Sequence, residues 1–137
     1  SLDHLSLPAA LRGLAQELAR SEGLDIDVIA DESLGDIPPN IAIGLYRVAQ
    51  EALRNVRKHA TTMKATVRIA PMMGGIALEV ADEGRGFVTG GAAGSSGLGL
   101  TAMRERVQLL GGRFSVTSEP GKGAKVAVWM PGLAEKQ

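Results

Sequence analysis

The segment Ile76-Ala77-Leu78-Glu79-Val80-Ala81-Asp82 constrains the fold more than any other stretch. Ile76, Leu78 and Val80 alternate with Ala77, Glu79 and Ala81, the period of a strand with one buried and one wet face. Strands of this kind belong to sheets covered on one side only, which are mostly antiparallel. Asp82 keeps the parity of Leu78 and Val80, so the alternation carries a carboxylate to the apolar side. A carboxylate there is costly unless something hydrogen-bonds it. Gly84 and Gly86 follow at once, in Asp82-Glu83-Gly84-Arg85-Gly86-Phe87, and let backbone come close to a ligand. The pattern reads as a slot for a flat polar group. The plainer alternative is an ordinary Asp-Glu-Gly turn.

The same alternation recurs along the chain. From Met63 to Ala70, Ala65, Val67 and Ile69 face in and Lys64, Thr66 and Arg68 face out. Met72-Met73-Gly74-Gly75 then reads as a hairpin connection to the return strand Ile76 to Ala81. Leu24 to Ala30 alternates around Ile26 and Val28, with Asp25 and Asp27 outward. Phe114 and Val116 alternate with Ser115 and Thr117. Pro120-Gly121-Lys122-Gly123 is a tight turn, and Val126, Val128 and Met130 define a last strand with Trp129 on its other face. Helical spacing appears three times. Leu11, Leu14, Ala15 and Leu18 mark Pro8 to Glu22, stopped by Gly23. Ile41, Leu45, Val48, Ala49, Ala52 and Val56 mark a long helix from Pro38-Pro39 to about Ala60. A third runs from Gly97 to about Leu110 and ends at Gly111-Gly112. These elements predict an α/β two-layer sandwich: a mixed, mostly antiparallel sheet of about five strands with one face covered by three helices. Residues 1–137 read as a single domain without internal repeats, with 132–137 a frayed tail.

Composition removes several function classes. Lys plus Arg and Asp plus Glu are both 15, and aromatic residues make up 3%. A nucleic-acid binder would show a basic excess or stacking platforms, so none is expected. Cys is absent, which excludes disulfides and thiolate metal sites. No apolar run reaches the roughly 20 residues of a membrane helix, and no signal peptide is visible. The chain opens without Met, so it is expected to be part of a longer protein. Its predicted location is the cytoplasm, with no membrane contact of its own.

Two further polar motifs accompany the Asp-Gly-Gly segment. On the long helix, Glu51 and Asn55 are four apart, and Lys58 and His59 follow. This spacing puts them on one side, off the apolar stripe. Taken alone they are a solvated face with an intrahelical Glu-Asn contact, or a functional face. In the second case an Asn carbonyl suits Mg²⁺, which wants hard oxygen ligands, and Lys58 can reach a phosphate. The other motif is Gly97-x-Gly99-Leu100 at a helix start, where free N–H groups and the helix dipole favour phosphate. Neither glycine motif fits GxGxxG between strand and helix. Gly121-Lys122-Gly123 lacks the Ser or Thr of a P-loop and sits in a hairpin.

The order of these motifs resembles the Bergerat-type ATP-binding fold of sensor histidine kinases, type II topoisomerase ATPase subunits, mismatch-repair ATPases and a heat-shock chaperone. Gln50-Glu51-Ala52-Leu53-Arg54-Asn55-Val56-Arg57-Lys58-His59-Ala60 looks like the Asn box of histidine kinases that pair with NarL-type response regulators. Gly97-Leu98-Gly99-Leu100, Met103-Arg104-Glu105-Arg106 and Leu110-Gly111-Gly112 are similar to their second glycine box and the helix after it. Pro120-Gly121-Lys122-Gly123 matches their closing turn. The resemblance covers nearly the whole chain, from Leu7 to Pro131.

The resemblance implies a catalytic module that binds ATP–Mg²⁺ and donates the γ-phosphoryl group to a histidine on a separate dimerisation domain. Asp82 would accept the adenine amine, with Gly84 and Gly86 shaping the slot. Asn55 would be the Mg²⁺ ligand. Glu51 would be the catalytic residue, activating the attacking group. Lys58 and His59 would flank the phosphates, and Gly97, Leu98, Gly99 and Leu100 would hold them through backbone N–H groups. The loop Phe87 to Ser96 would close as a lid. Two residues depart from the family pattern: Ala124 stands where Thr is common, and Thr101 where Gly is frequent. Neither His4, followed by Leu5, nor His59 matches the acceptor histidine, so the chain is expected not to phosphorylate itself. Expected partners are ATP, the dimerisation domain of the parent kinase and, indirectly, a NarL-type response regulator. The isolated chain is expected to be a monomer. Other readings are an anti-sigma-factor-type Ser kinase of the same fold, or a docking module that binds nucleotide without chemistry.

Overall fold

The computed structural model describes residues 6–59, 63–82, 98–119 and 123–132. Helix α1 (Leu7–Glu22) starts one residue before the predicted Pro8, because Ser6 caps it. The Ser6 hydroxyl accepts from the Ala9 N–H at 3.2 Å. The helix ends at Gly23 in the left-handed conformation, φ 76°, with the Gly23 N–H bonded to Ala19 O. Strand β1 (Asp25–Ala30) follows, with the predicted alternation of exposed and half-buried residues. Leu24, predicted as its first residue, is buried just ahead of it.

Helix α2 (Pro39–His59) crosses the sheet and returns the chain beside β1. The six predicted stripe residues are all buried, and so are Ala42 and Leu53. Leu45, Val48 and Ala49 have no exposed surface at all. A fully buried leucine such as Leu45 contributes about 1.5–3 kcal/mol. The crossing makes the β1–β2 pair parallel, with Asp25 opposite Lys64 and Ala30 opposite Ile69.

Strand β2 (Lys64–Met72) runs two residues past its predicted end, through Pro71. Proline is tolerated there because the pairing with β1 stops at Ile69, so its missing N–H costs no ladder bond. A two-residue turn at Met73 and Gly74 leads into β3 (Gly75–Asp82). Both turn residues have φ above zero, 51° and 76°, as tight hairpins require. Helix α3 (Leu98–Leu109), β4 (Arg113–Glu119) and β5 (Gly123–Pro131) complete the described elements. Leu110 lies in the turn beyond α3.

The five strands form one sheet in the order β1-β2-β3-β5-β4, with every pair after β1–β2 antiparallel. The three described helices pack on one face, against Val67, Ile69, Ile76, Leu78, Val80, Val126, Val128 and Met130. The other face stays open and carries Arg68, Glu79, Lys125 and Trp129. The predicted mixed two-layer sandwich is thus observed. No helix among the described residues is long and apolar enough to cross a membrane.

Candidate functional site

The alternation of β3 does carry Asp82 to the helix-covered side, where it is 5% exposed. It sits in a slot of about 300 Å³. The walls come from three neighbouring strands: Ala81 and Asp82 of β3, Thr117 and Ser118 of β4, and Gly123, Ala124 and Lys125 of β5. That volume is at the small end of ligand pockets and suits one ring system rather than a whole nucleotide. Gly123 is required for this geometry. Its φ is 89°, and a Cβ there would run into the Asp82 carbonyl oxygen and lie 3.3 Å from Asp82 Oδ1. A side chain at 123 would push β5 away from the carboxylate.

Helix α2 supplies the second part. Asn55 is 6% exposed, in the core rather than on a solvated face. This corrects the reading of Glu51, Asn55, Lys58 and His59 as one shared environment off the stripe. Asn55 follows Val48 by seven residues, two turns along the same buried face, so it falls inside, whereas Glu51, further round, is half-buried and Lys58 is exposed. The Asn55 Nδ2 group is buried and has no hydrogen-bond partner among the described residues. An unmet amide of this kind costs about 1–3 kcal/mol. Rotating the amide presents its oxygen in the same place. Such a group is suited to meeting a ligand or its metal ion.

The third part is the start of α3. Gly99 lies directly against the Glu51 carboxylate. A methyl group there would collide with Glu51 Oε2 and Cδ and stand 2.9 Å from Cγ. The free N–H groups of a first helical turn favour a negative charge beside them. Arg54 approaches the same carboxylate from the exposed side, with Nη1 3.7 Å from Glu51 Oε1. Leu100, one residue on, packs against the core. Gly84, Gly86 and Gly97, the loop 87–96, and the side chains of His59 and Leu98 lie outside the described residues. So do residues 120–122 of the closing turn and the tail beyond 132.

Among the described residues no three acidic or histidine side chains are grouped to hold a metal. A cation here would take one protein oxygen and complete its shell from phosphates and water, the usual arrangement for Mg²⁺. Asn55 fits that demand. A larger groove of about 700 Å³ lies at the other end of α2, between Arg12, Asp31 to Ile37, and Ile43. It is remote from the site: Pro39 and Asn55 are separated by about 24 Å of helix. Its Asp31 carboxylate is already engaged by the Ser33 hydroxyl at 2.6 Å and the Ser33 N–H at 2.8 Å. These bonds, the hydroxyl first, hold its carboxyl below the ordinary value.

Asp82, Asn55, Glu51 and Gly99 thus converge at one end of the sheet. Sequence reasoning missed Arg54 and Ser118 as neighbours of this site. Arg54 had a signal in its three-residue spacing from Glu51. Ser118 had none, because a serine on a strand is unremarkable until the register is known.

A five-stranded mixed sheet covered on one face by three helices, with a carboxylate buried at the end of β3, has the architecture of a nucleotide-binding ATPase domain. The chain belongs to the histidine kinase-, DNA gyrase B- and HSP90-like ATPase family, which it matches over residues 40–133. It is an ATP-binding module. It is 34% identical to the sensor histidine kinase MctS of Rhizobium johnstonii, over 98% of this chain and 30% of that protein. It is 33% identical to the oxygen sensor histidine kinase NreB of Staphylococcus carnosus, over 96% of this chain and 38% of that protein. The chain therefore spans about a third of each relative. The histidine kinase domain of the blue-light activated histidine kinase EL346 of Erythrobacter litoralis superposes with a TM-score of 0.70. That match has 27% identity and covers 91% of this chain and 64% of the other.

Proposed function

We propose that this chain is the catalytic ATP–Mg²⁺ module of a two-component sensor histidine kinase. It passes the γ-phosphoryl group to a histidine on a separate dimerisation domain. The observation that carries the reading is the pairing, at one end of the sheet, of buried Asp82 in its slot with the unmet amide of Asn55. The first suits a base with an amine donor, and the second a metal-bound phosphate. The family membership and the sensor-kinase relatives support the same reading.

In this reading Asp82 accepts a hydrogen bond from the adenine amine, and Gly84 and Gly86 let backbone close over the base. Mg²⁺, when bound, neutralises charge on the phosphates, with the Asn55 oxygen as its protein ligand. Lys58 and His59 flank the phosphates, and the N–H groups of Gly97 to Leu100 hold them at the α3 dipole. Glu51 takes the proton from the attacking imidazole as its nitrogen bonds to phosphorus and ADP leaves. Phosphoryl transfer asks a protein mainly for position and charge, and this set supplies both. The phosphorylated domain then serves a response regulator of the NarL type.

Calorimetric titration with a non-hydrolysable ATP analogue, with and without Mg²⁺, tests the binding. Metal-dependent binding is expected. Transfer from γ-labelled ATP to a supplied dimerisation domain tests the chemistry. Label on this chain alone would overturn the assignment of the acceptor to another domain, because neither His4 nor His59 is given that role.

A further inference from the structure

The junction between α1 and β1 holds both ends of the link that joins α2 to β2. Glu22, the last residue of α1, accepts a hydrogen bond from Arg57 Nε in the last turn of α2. Three residues on, the Asp25 N–H donates to Met63 O at 2.7 Å, just before β2 begins. Asp25 also stands opposite Lys64 in the sheet, with Lys64 Nζ 3.8 Å from its carboxylate. The Glu22–Arg57 contact joins two helices, whereas Arg20–Glu17 and Arg54–Glu51 each lie within one. The junction itself is firmly set. Beyond the Gly23 bond, the Leu24 N–H donates to Leu18 O at 3.3 Å and closes the end of α1. Leu24 is 1% exposed and anchors the turn in the core.

This junction borders the site. Arg57 stands two residues after Asn55 and directly before Lys58. In the sheet, Ala65 pairs with Ile26 on one side and with Asp82 on the other. Leu53 and Val56 are buried and hold α2 up to Asn55, but Arg57 and Lys58 are exposed, so packing does not hold the end. The last carbonyls of a helix lack partners within it, and terminal turns open at little cost. A tether from α1 therefore sets how often the last turn of α2 is closed.

Resting on the reading that ATP phosphates lie beside Asn55 and Lys58, we infer that Glu22 is a positioning residue for the phosphate end of the site. It acts through Arg57, which it binds across the α1–α2 contact, and keeps the turn that carries Lys58 closed. A ligand that needs the closed turn binds in proportion to the fraction closed. The base slot, built on the strands, does not depend on that turn. Glu22 itself touches no part of the ligand.

The test reads two ligands and the ligand-free chain. Calorimetry follows a non-hydrolysable ATP analogue with Mg²⁺, chemical-shift titration follows adenosine, which has no phosphates, and hydrogen exchange follows the amides of residues 57–59. A half-exposed ion pair shifts an equilibrium by at most about fivefold, so Glu22→Ala is expected to weaken the analogue about three- to fivefold and to speed those amides by a like factor. Adenosine should bind as before, a split that a loss of general stability would not produce. Glu22→Gln, which drops the charge but keeps an acceptor for Arg57, should retain most of the affinity. In an Arg57→Ala chain the further change Glu22→Ala should cost nothing more. Glu17→Ala, which breaks a pair within α1, should bind as wild type. Wild-type affinity in Glu22→Ala, equal losses with both ligands, or a gain shared by Glu22→Ala and Glu22→Gln would overturn this inference and leave ATP binding standing. A wild-type chain that binds the analogue no better than adenosine would overturn the reading beneath it.

Discussion

Replacing Gly99 by Ala separates packing from chemistry. The new methyl group would overlap the Glu51 carboxylate and stand 2.9 Å from its Cγ, so Glu51 must give way. Alanine favours a helix over glycine by up to about 1 kcal/mol, and by less in a first turn. Against that, Glu51 leaves the positive end of α3, which costs about 0.3–1 kcal/mol. An off-rotamer side chain adds about 0.5–1.5 kcal/mol. The net change in stability stays within about 1 kcal/mol, or about 4 °C in Tm for a chain of this size. The consequence for phosphoryl transfer is far larger. Clearing the overlap moves the carboxylate by about an ångström, and misplacement of that order costs about a hundredfold in rate. ATP affinity should hold within about threefold, because the Asp82 slot is untouched. Thermal melting, calorimetry and transfer to a supplied dimerisation domain read the three quantities in turn. Transfer at the wild-type rate, or a loss matched by unfolding, would refute the coupling of Gly99 to Glu51.

Three other perturbations bear on separate residues. Asp82→Ala should weaken ATP by about 1.5–3 kcal/mol, the scale of a hydrogen bond to a charged group, and calorimetry at unchanged affinity would place Asp82 outside the base slot. Asn55→Ala removes a buried amide without a described partner, so ligand-free Tm should change little while the Mg²⁺ dependence of ATP binding disappears. A normal Mg²⁺ response would remove Asn55 as the ligand. The Asp31 carboxyl, lowered below 3.8 by Ser33, contributes stability that is complete above pH 3.8 and lost as pH falls through the lower folded value. Asp31→Asn should therefore flatten the acid limb of a denaturation curve below pH 3.8, and identical slopes in both proteins would count against the Ser33 contacts.

Period-two alternation was enough to read β2, β3 and β5, because each has one face buried and the other wet. It carried Asp82 to the covered side as well. The reading of α2 faltered at Asn55 for a physical reason. Its polarity sets Asn55 apart from the apolar stripe, yet it stands seven residues after Val48, two turns along the same buried face. The alternation read from Met63 to Ala70 stops short of Pro71, and proline does oppose strand pairing. The shortness of β1 removes that objection, and no local pattern discloses it. Ser118 became visible only once the β4–β5 register set it across from Ala124. Side chains that act through neighbours on other strands leave no periodicity of their own.

The sequence holds a single tryptophan, Trp129. Its indole N–H donates to Met72 O at 2.7 Å, and the Arg113 guanidinium lies 5.9 Å from the ring. Along β5 it is about 17 Å from Ala124 and the slot. Its fluorescence therefore samples the far end of the sheet, where β5 lies between β3 and β4 and the indole reaches the end of β2, and not the bound base. Emission should stay constant through a nucleotide titration and shift only when the strands come apart. The chain thus carries an intrinsic optical thermometer, so the rise in its midpoint with added ligand measures affinity free of any direct optical effect of the nucleotide.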